Sequence, residues 1–241
     1  MTMTFPHSDA AVGEILSRSF YARSVHDVAR DLLGMIVVRA WPDERGPRRL
    51  AGRIVEVEAY DGPRDRASHA SKGRTRRTEV MFGPAGHAYV YLVYGMHCCL
   101  NVVTGPVGYP AAVLIRALEP VEGIDGMDPG RARPSRIADG PGRLTRALRI
   151  DLALNRADLC AAGPLCVEVG EAVRDRDVVR GPRVGVDYAG RWAMKPWRLG
   201  LRGSAALSRP FPGGSAARGR TPSGAPRTRR PRRPRARRSG D

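Results

Sequence analysis

The sequence predicts an α+β fold, a single mixed domain around a curved, largely antiparallel β-sheet with a few peripheral helices. Two observations lead to this prediction. Short runs of β-branched and aromatic residues alternate with polar residues along most of the chain, whereas apolar residues at helical spacing occupy only a few short stretches. The 241 residues suffice for one domain with a sizeable core. There is no internal repeat, and no apolar run approaches the length of a membrane span.

The clearest strand signal runs from Arg53 to Tyr60, where β-branched residues alternate with charge before a turn at 61–63. Residues two apart share one face of a strand. The pattern therefore predicts one face with Ile54, Glu56, Glu58 and Tyr60, and another with Val55, Val57 and Ala59. Two carboxylates are expected about 7 Å apart, next to a phenol.

A tyrosine-rich hairpin is predicted next, with strands over 87–94 and 97–103. Tyr94 precedes Gly95 and Met96 at its tip, where a large aromatic side chain has little to pack against. An exposed aromatic residue on a basic surface suits insertion into a stack of bases.

The other elements complete the mixed pattern. A capping motif at Ser24 predicts a helix as far as Leu33, and the Gly, Pro and charge content of 61–86 predicts a long loop. Further strands are predicted at 35–40, 111–118, 165–169, 183–186 and 197–201, and a helix at 144–150. The chain divides into a partly flexible N-terminal segment (1–20), a domain (21–203) and a disordered tail rich in Arg, Pro and Gly (204–241).

The charge is strongly basic and unevenly distributed. Lys and Arg number 41 against 24 acids, and the eleven arginines and one acid of 204–241 supply +10 of the net +17, leaving +7 for residues 1–203. This balance favours a polyanionic partner, although a tail without a selected role is the alternative. The start of the chain lacks the pattern of a secretory signal, and the four cysteines do not suggest a disulfide scaffold. We therefore expect an intracellular protein, in the cytoplasm or nucleoid if it is bacterial.

Several side chains are candidates for chemistry. An isolated Glu-x-Glu is usually a solvated strand face, but Tyr60 on the same face makes Glu58 a candidate general base. Asn101 and Arg116 interrupt apolar strands, so each either pairs within the fold or contacts a ligand. The loop cations, expected either to be solvated or to contact phosphate, are Lys72, Arg74, Arg76 and Arg77.

A metal site is not expected. The histidines and cysteines near the hairpin, His87, His97, Cys98 and Cys99, match no usual zinc spacing. Buried cysteines also behave as small hydrophobic residues. We therefore predict no metal site.

Several segments in order resemble the alkyladenine (3-methyladenine) DNA glycosylase family. They are Arg53–Tyr60, His69, Met81-Phe82, Tyr89–Met96, Asn101, Leu114–Pro120, Gly140–Leu144, Arg183–Gly190 and Lys195–Arg198. Together they cover roughly residues 20–203, and agreement in order is far more specific than any single motif.

The resemblance implies an enzyme that flips a damaged purine, alkylated or deaminated, out of double-stranded DNA and hydrolyses its N-glycosidic bond without cutting the strand. It implies Glu58 as general base, with Arg116 and the Val184 carbonyl holding the water. Tyr60, His69 and Tyr91 would form the base pocket, Asn101 would exclude the guanine amino group, and Tyr94 with Met96 would enter the duplex. The family fold that it implies contains no metal or organic cofactor. We expect a monomer that does not associate with membranes.

Two rival functions remain open from the sequence. The basic tail and the aromatic residues also fit a non-catalytic nucleic-acid-binding protein, and paired carboxylates also fit a carbohydrate glycosidase. The Arg-rich tail and Leu199-Gly200-Leu201 depart from the family pattern. We expect removal of 204–241 to weaken DNA binding and leave the cleavage step intact.

Overall fold

The computed structural model describes residues 13–41, 48–127 and 133–212. Its framework is a sheet of eight strands, all of whose pairings are antiparallel, in the order β3-β4-β5-β2-β1-β6, with β8 joining β2 and β7 joining β8. The strands are β1 (Ile36–Trp41), β2 (Arg48–Tyr60), β3 (Ala88–Val93), β4 (His97–Thr104), β5 (Ala111–Glu122), β6 (Leu165–Glu168), β7 (Val178–Gly181) and β8 (Arg198–Leu201). This architecture confirms the predicted α+β class.

Short helices cover the sheet. They are α1 (Arg18–Tyr21), α2 (Val25–Asp31), α3 (Ile124–Met127) and α4 (Pro141–Ala147). The Ser24 hydroxyl accepts a hydrogen bond from the His26 amide and so caps α2, as its sequence predicts. Buried residues of α1, α2 and α4 join the apolar side chains of β2, β4 and β5 in the main core. In the parts of the chain described above, no helix is both long and apolar enough to cross a bilayer.

An irregularity in the central strand β2 changes which of its side chains lie on the same face of the sheet. Its register against β5 shifts on both sides of Glu56. Ile54 consequently packs in the main core with Val57 and Ala59, whereas Val55 packs in a separate cluster with Ala117 and Ala206. The predicted common face of Ile54 and the glutamates is therefore wrong, because a β-bulge interrupts the alternation there.

The folded part extends beyond the boundary predicted at Ser204. Ala206 is fully buried and Phe211 nearly so. The Phe211 ring lies against Gly200, where a Cβ would come within 2.7 Å of it, which explains why the last strand carries glycine. Residues 204–212 therefore pack on β2 and β8, and the predicted boundary is corrected to a later position. The rest of the predicted tail, 213–241, and residues 1–12 of the N-terminal segment lie outside the described residues.

One predicted strand has a different location. Residues 183–186 form no strand, and the ladder with β8 is made instead by Val178–Gly181. The 183–186 segment runs beside Glu58 instead, and its Val184 amide donates a hydrogen bond to the Glu58 carboxylate.

Candidate active site

A cavity of about 580 Å³ opens where β3, β4 and β5 meet the loops after β2 and β7. It brings together most of the residues singled out from the sequence. The predicted site residues that line it are Tyr60, His69, Arg77, Tyr91, Tyr94, Asn101, Arg116 and Val184. These residues come from six separate segments, so the cavity is a product of the fold and not of one motif.

Glu58 lies directly behind this lining. Its side chain is fully buried. One carboxylate oxygen accepts a hydrogen bond from the Val184 amide at 2.7 Å. The other accepts from the Tyr60 hydroxyl at 2.9 Å and lies 3.3 Å from Nη1 of Arg116. All three partners line the cavity, so Glu58 is one residue removed from the space that a substrate would occupy.

This arrangement refines two expectations. Val184 contacts Glu58 through its amide N–H, whereas the resemblance implies a role for its carbonyl. Glu58 itself has no exposed surface and does not line the cavity, so it meets the cavity through its partners Tyr60, Arg116 and Val184.

The charges around Glu58 are balanced within the protein. Glu56 is also fully buried and accepts hydrogen bonds from Arg116 Nε at 3.1 Å and Arg198 Nη1 at 3.0 Å. Burial opposes the charge of Arg116, but the carboxylates of Glu58 and Glu56 outweigh it and raise the pKa of the guanidinium. Two acids and two arginines thus form a compensated buried cluster, which keeps Arg116 charged beside the cavity.

A second buried ion pair fixes the residues that touch Glu58. Arg183 and Asp65 are bonded through both carboxylate oxygens, at 2.5 and 2.8 Å. Arg183 also donates to the Ala59 carbonyl and lies over the Tyr60 ring, 4.7 Å from its centroid. Since Ala59 and Tyr60 follow Glu58 and Arg183 precedes Val184, this pair holds two of the three Glu58 partners in place.

Aromatic side chains form one wall of the cavity. The His69 and Tyr91 rings meet edge to face with centroids 4.6 Å apart, and Tyr89 lies 5.1 Å from Tyr91. Nδ1 of His69 is 3.0 Å from the Tyr89 hydroxyl. Burial, with help from Arg77 and Lys72, lowers the pKa of His69 to about 4, so the ring is neutral at pH 7. Burial raises the pKa of Tyr60 and of Tyr91, so both remain neutral phenols.

Asn101 and Cys99 complete the cavity from β4. The Asn101 side-chain amide donates to the Tyr89 carbonyl at 3.0 Å, which satisfies the group within the fold and fixes its orientation. Burial raises the pKa of the Cys99 thiol to about 11, so it remains protonated. Among the described residues, no group of three His, Cys, Asp or Glu side chains lies close enough together to hold a metal ion.

The hairpin tip stands out from the surface beside the cavity. Tyr94 is 89% exposed and Met96 73% exposed. Tyr94 has φ of 51°, in the left-handed region that side chains other than glycine rarely adopt, and Gly95 follows with φ of 69°. Successive positive φ values are typical of a tight hairpin turn. The fold therefore holds a large apolar ring in solvent on a strained backbone.

Comparison with known proteins places these features in a family. A model described as methylpurine-DNA glycosylase (MPG) matches residues 19–205. A relative from Methanocella arvoryzae is 53% identical over 202 residues, covering 83% of this chain and 98% of its own. One from Myxococcus xanthus is 53% identical over 199 residues, covering 83% and 96%. Both relatives are provisionally named 3-methyladenine DNA glycosylase.

The chain belongs to the methylpurine-DNA glycosylase family. It is accordingly a DNA-repair hydrolase of N-glycosidic bonds. The resemblance drawn from the sequence is thereby confirmed, and its extent of roughly 20–203 agrees with the matched range.

Cations surround the cavity of this glycosylase. Arg77 is exposed and lies over the Tyr91 ring at 4.8 Å, whereas Arg74 lies over Phe82 at 5.0 Å. Lys72 borders a second cleft next to the first, and Arg76 is exposed on the same loop. Other cations at these two openings escaped the sequence reasoning: Arg64, Arg66 and Arg191 border the second cleft, and Arg209 lines the cavity.

Sequence reasoning also missed the residues that support Glu58. Asp65 and Arg183 are 118 positions apart, and Ser208, which hydrogen-bonds Glu56, lies 152 positions from it. No spacing rule connects such pairs. Arg183 and Arg198 do stand inside segments that carry the family resemblance, and this was the one available signal.

Proposed function

We propose that this glycosylase takes an alkylated purine, everted from double-stranded DNA, into the aromatic cavity and hydrolyses its N-glycosidic bond with a water molecule activated by Glu58. The observation that carries the proposal is the position of Glu58, a buried carboxylate on β2 whose three partners all line one cavity. A carboxylate held by donors from the cavity wall is suited to accept a proton from water in that wall.

The reaction balances without any further group. The water oxygen forms a bond to the sugar C1′ and gives its proton to Glu58, while the C1′–N bond breaks and its electrons pass to the purine. In an alkylated purine those electrons neutralise the positive ring, so the base leaves as a neutral molecule. The developing oxocarbenium charge on the sugar is stabilised by the negative carboxylate. Arg116 and the Val184 carbonyl hold the water.

The aromatic wall accounts for the choice of base. A cationic purine is attracted to the faces of tyrosine rings, here Tyr60 and Tyr91. His69 suits this ligand because its pKa of about 4 leaves the ring neutral at pH 7, which avoids repulsion. Asn101 lines the cavity with its side-chain amide fixed by the Tyr89 carbonyl, and in this proposal it excludes the guanine amino group.

Deaminated purines are substrates of lower reactivity in this proposal. Their rings are neutral, so the leaving base needs a proton that an alkylated base does not. Among the described residues that line the cavity there is no aspartate or glutamate, and His69 is unprotonated at pH 7. We expect alkylated purines to be released faster than hypoxanthine from otherwise identical duplexes.

DNA binding uses the hairpin tip and the surrounding cations. Tyr94 and Met96 enter the duplex and fill the space left by the everted nucleotide, which offsets part of the few kcal/mol that eversion costs. Lys72, Arg74, Arg76 and Arg77 contact the DNA backbone, as does the exposed Arg209, which lines the cavity together with Arg77. The enzyme acts inside the cell, as a monomer.

The reaction stops after base release. No lysine lines the cavity among the described residues, so no amine is placed to form a Schiff base with the sugar and cut the strand. The product is an abasic site in an intact strand.

The test is base release from duplexes that carry 3-methyladenine, 7-methylguanine, ethenoadenine or hypoxanthine. The proposal requires free alkylated base, an uncut strand, and loss of release in Glu58→Gln with DNA binding retained. Binding without release on every duplex would support the rival nucleic-acid-binding function, and preference for oligosaccharides over DNA would support the carbohydrate glycosidase.

A further inference from the structure

Glu56 takes no part in the proposed hydrolysis, although it is as deeply buried as Glu58 and only two residues from it. It does not line the cavity. Its carboxylate is bonded to the segment Ser204–Pro212, which we name the C-terminal strap. The Ser208 amide donates to one Glu56 oxygen at 2.5 Å, and the Ser208 hydroxyl donates to the other at 2.8 Å.

The same serine contacts Arg116. Its hydroxyl oxygen accepts from Nε at 3.3 Å and from Nη2 at 3.1 Å, while Nε also donates to Glu56. One edge of the guanidinium is therefore occupied by Ser208 and Glu56. The remaining nitrogen, Nη1, is the one that faces Glu58 at 3.3 Å. The hydroxyl donates once and accepts twice, which uses its full hydrogen-bonding capacity.

The strap is firmly anchored around this contact. Arg198 donates to the backbone carbonyls of Arg209 and Pro210 at 3.1 and 2.9 Å and lies over the Phe211 ring at 3.8 Å. Nη1 of Arg198 also donates to Glu56. Ser208 is thus fixed in two ways, by its two hydrogen bonds to Glu56 and by the bonds from Arg198 to the carbonyls of the next two residues.

We propose that Ser208, held by Glu56, is a positioning residue that orients the Arg116 guanidinium so that Nη1 faces Glu58 and the water. The inference rests on the proposed function of Glu58 and deepens it by adding the C-terminal strap to the active site. An arginine side chain has many rotamers, and its planar fork is useful only when one orientation is fixed. With Nε and Nη2 occupied, rotation about the last bonds of Arg116 breaks two contacts at once.

The physical consequence is a change in the chemical step and not in binding. Small displacements of a catalytic group can reduce a rate by as much as about a hundredfold. Loss of the Ser208 hydroxyl leaves Arg116 bonded to Glu56 and paired with Glu58, so the ion pairs persist while the orientation loosens. Since Ser208 does not line the cavity, contact with DNA is unaffected.

The test compares Ser208→Ala, Ser208→Thr and Ser204→Ala in the full chain. Ser204 is the matched control, because its hydroxyl also anchors the strap to a carboxylate, Glu119 Oε1 at 2.6 Å, but has no contact with Arg116. We expect Ser208→Ala to lower the single-turnover rate of base release roughly tenfold to a hundredfold, with an unchanged dissociation constant for the duplex. Ser208→Thr, which keeps the hydroxyl, should restore most of the rate, and Ser204→Ala should leave it unchanged.

A second readout separates this proposal from the proposed function. The Nε–H resonance of Arg116, followed by NMR in the absence of DNA, should shift in Ser208→Ala and keep its position in Ser204→Ala. If the wild-type protein released no base, the proposed function would be wrong. The Arg116 resonance would still show whether Ser208 orients Arg116, because it is measured without DNA. An unmoved resonance, or equal losses of rate in Ser208→Ala and Ser204→Ala, would overturn the positioning role.

Discussion

Two truncations distinguish the C-terminal strap from the residues that follow it. A chain that ends at Gly203 lacks the strap, whereas a chain that ends at Pro212 keeps it and loses only 213–241. The sequence suggests that everything after residue 203 is dispensable for cleavage. The packing of Ala206, Ser208 and Phe211 leads to the opposite expectation for the first truncation.

The magnitude follows from the contacts that are lost. Removal of a buried phenylalanine side chain such as Phe211 costs about 3–5 kcal/mol. The two hydrogen bonds from Ser208 to the buried Glu56 carboxylate contribute about 1.5–3 kcal/mol each. The total is roughly 6–11 kcal/mol, comparable with the whole free energy of unfolding of a typical domain, about 5–15 kcal/mol. The chain ending at Gly203 should therefore be unfolded or nearly so.

The assay is urea denaturation followed by circular dichroism, together with single-turnover base release. The chain ending at Pro212 should unfold at the same urea concentration as the full chain and cleave at the same rate, with weaker and less salt-dependent DNA binding because ten arginines are absent. Phe211→Ala gives an intermediate case and should lose about 3–5 kcal/mol. A chain ending at Gly203 with full stability and full activity would refute the reasoning.

Three further predictions concern single side chains. The pKa of His69 is about 4 in the folded protein, below its value of about 6.5 in the unfolded chain. As the pH drops from 6.5 towards 4, the unfolded chain binds a proton at His69 that the folded protein does not bind. The folded state therefore loses stability over this pH range. At about 1.4 kcal/mol per pKa unit, reduced for the partial exposure of the ring, the free energy of unfolding decreases by about 2 kcal/mol. Urea denaturation should therefore show a smaller decrease in the free energy of unfolding between pH 7 and 4.5 for His69→Gln than for the wild type. An identical decrease in both proteins would contradict this prediction. Tyr94→Ala should weaken binding to lesion duplexes by about 1–3 kcal/mol, the value of one stacking contact, without changing the stability of the fold. Titration with the duplex measures this affinity, and an unchanged affinity would exclude insertion of Tyr94. Arg209→Ala should lower the slope of log binding constant against log salt concentration by about one counterion. The control Arg202→Ala changes an exposed arginine outside the cavity and should leave this slope unchanged. Equal slopes for the two variants would show that Arg209 does not contact DNA.

The sequence predicts the parts of this site that depend on local pattern. Alternation from Arg53 to Tyr60 places Glu56, Glu58 and Tyr60 on a strand, and the Tyr94-Gly95 pair between two strands predicts an exposed tip. Both follow from the two-residue period of strands and from the conformational freedom of glycine. Each survives in the structure because it needs only neighbouring residues.

The parts that depend on distant contacts could not be predicted in this way. The shift in register at Glu56 moves Ile54 to the other side of the sheet, and nothing in the alternating pattern marks a bulge. Phe211 is a single aromatic residue in an Arg/Pro/Gly-rich segment, so composition hides its burial. The pairing of Asp65 with Arg183 becomes visible only when the chain has folded, because charge alone does not identify a partner.

The most direct test of the account compares Glu58→Gln with Glu168→Gln in single-turnover release of an alkylated purine. The two acids are matched, since both lie buried on strands and are paired with an arginine, Glu168 through bonds of 2.9 and 2.7 Å from Arg49. Glu58→Gln should lower the rate by about 10²–10⁴, the usual contribution of a general base, with duplex binding retained. Glu168→Gln should lose stability and keep its rate. A Glu58→Gln protein that releases base as fast as the wild type would contradict the account.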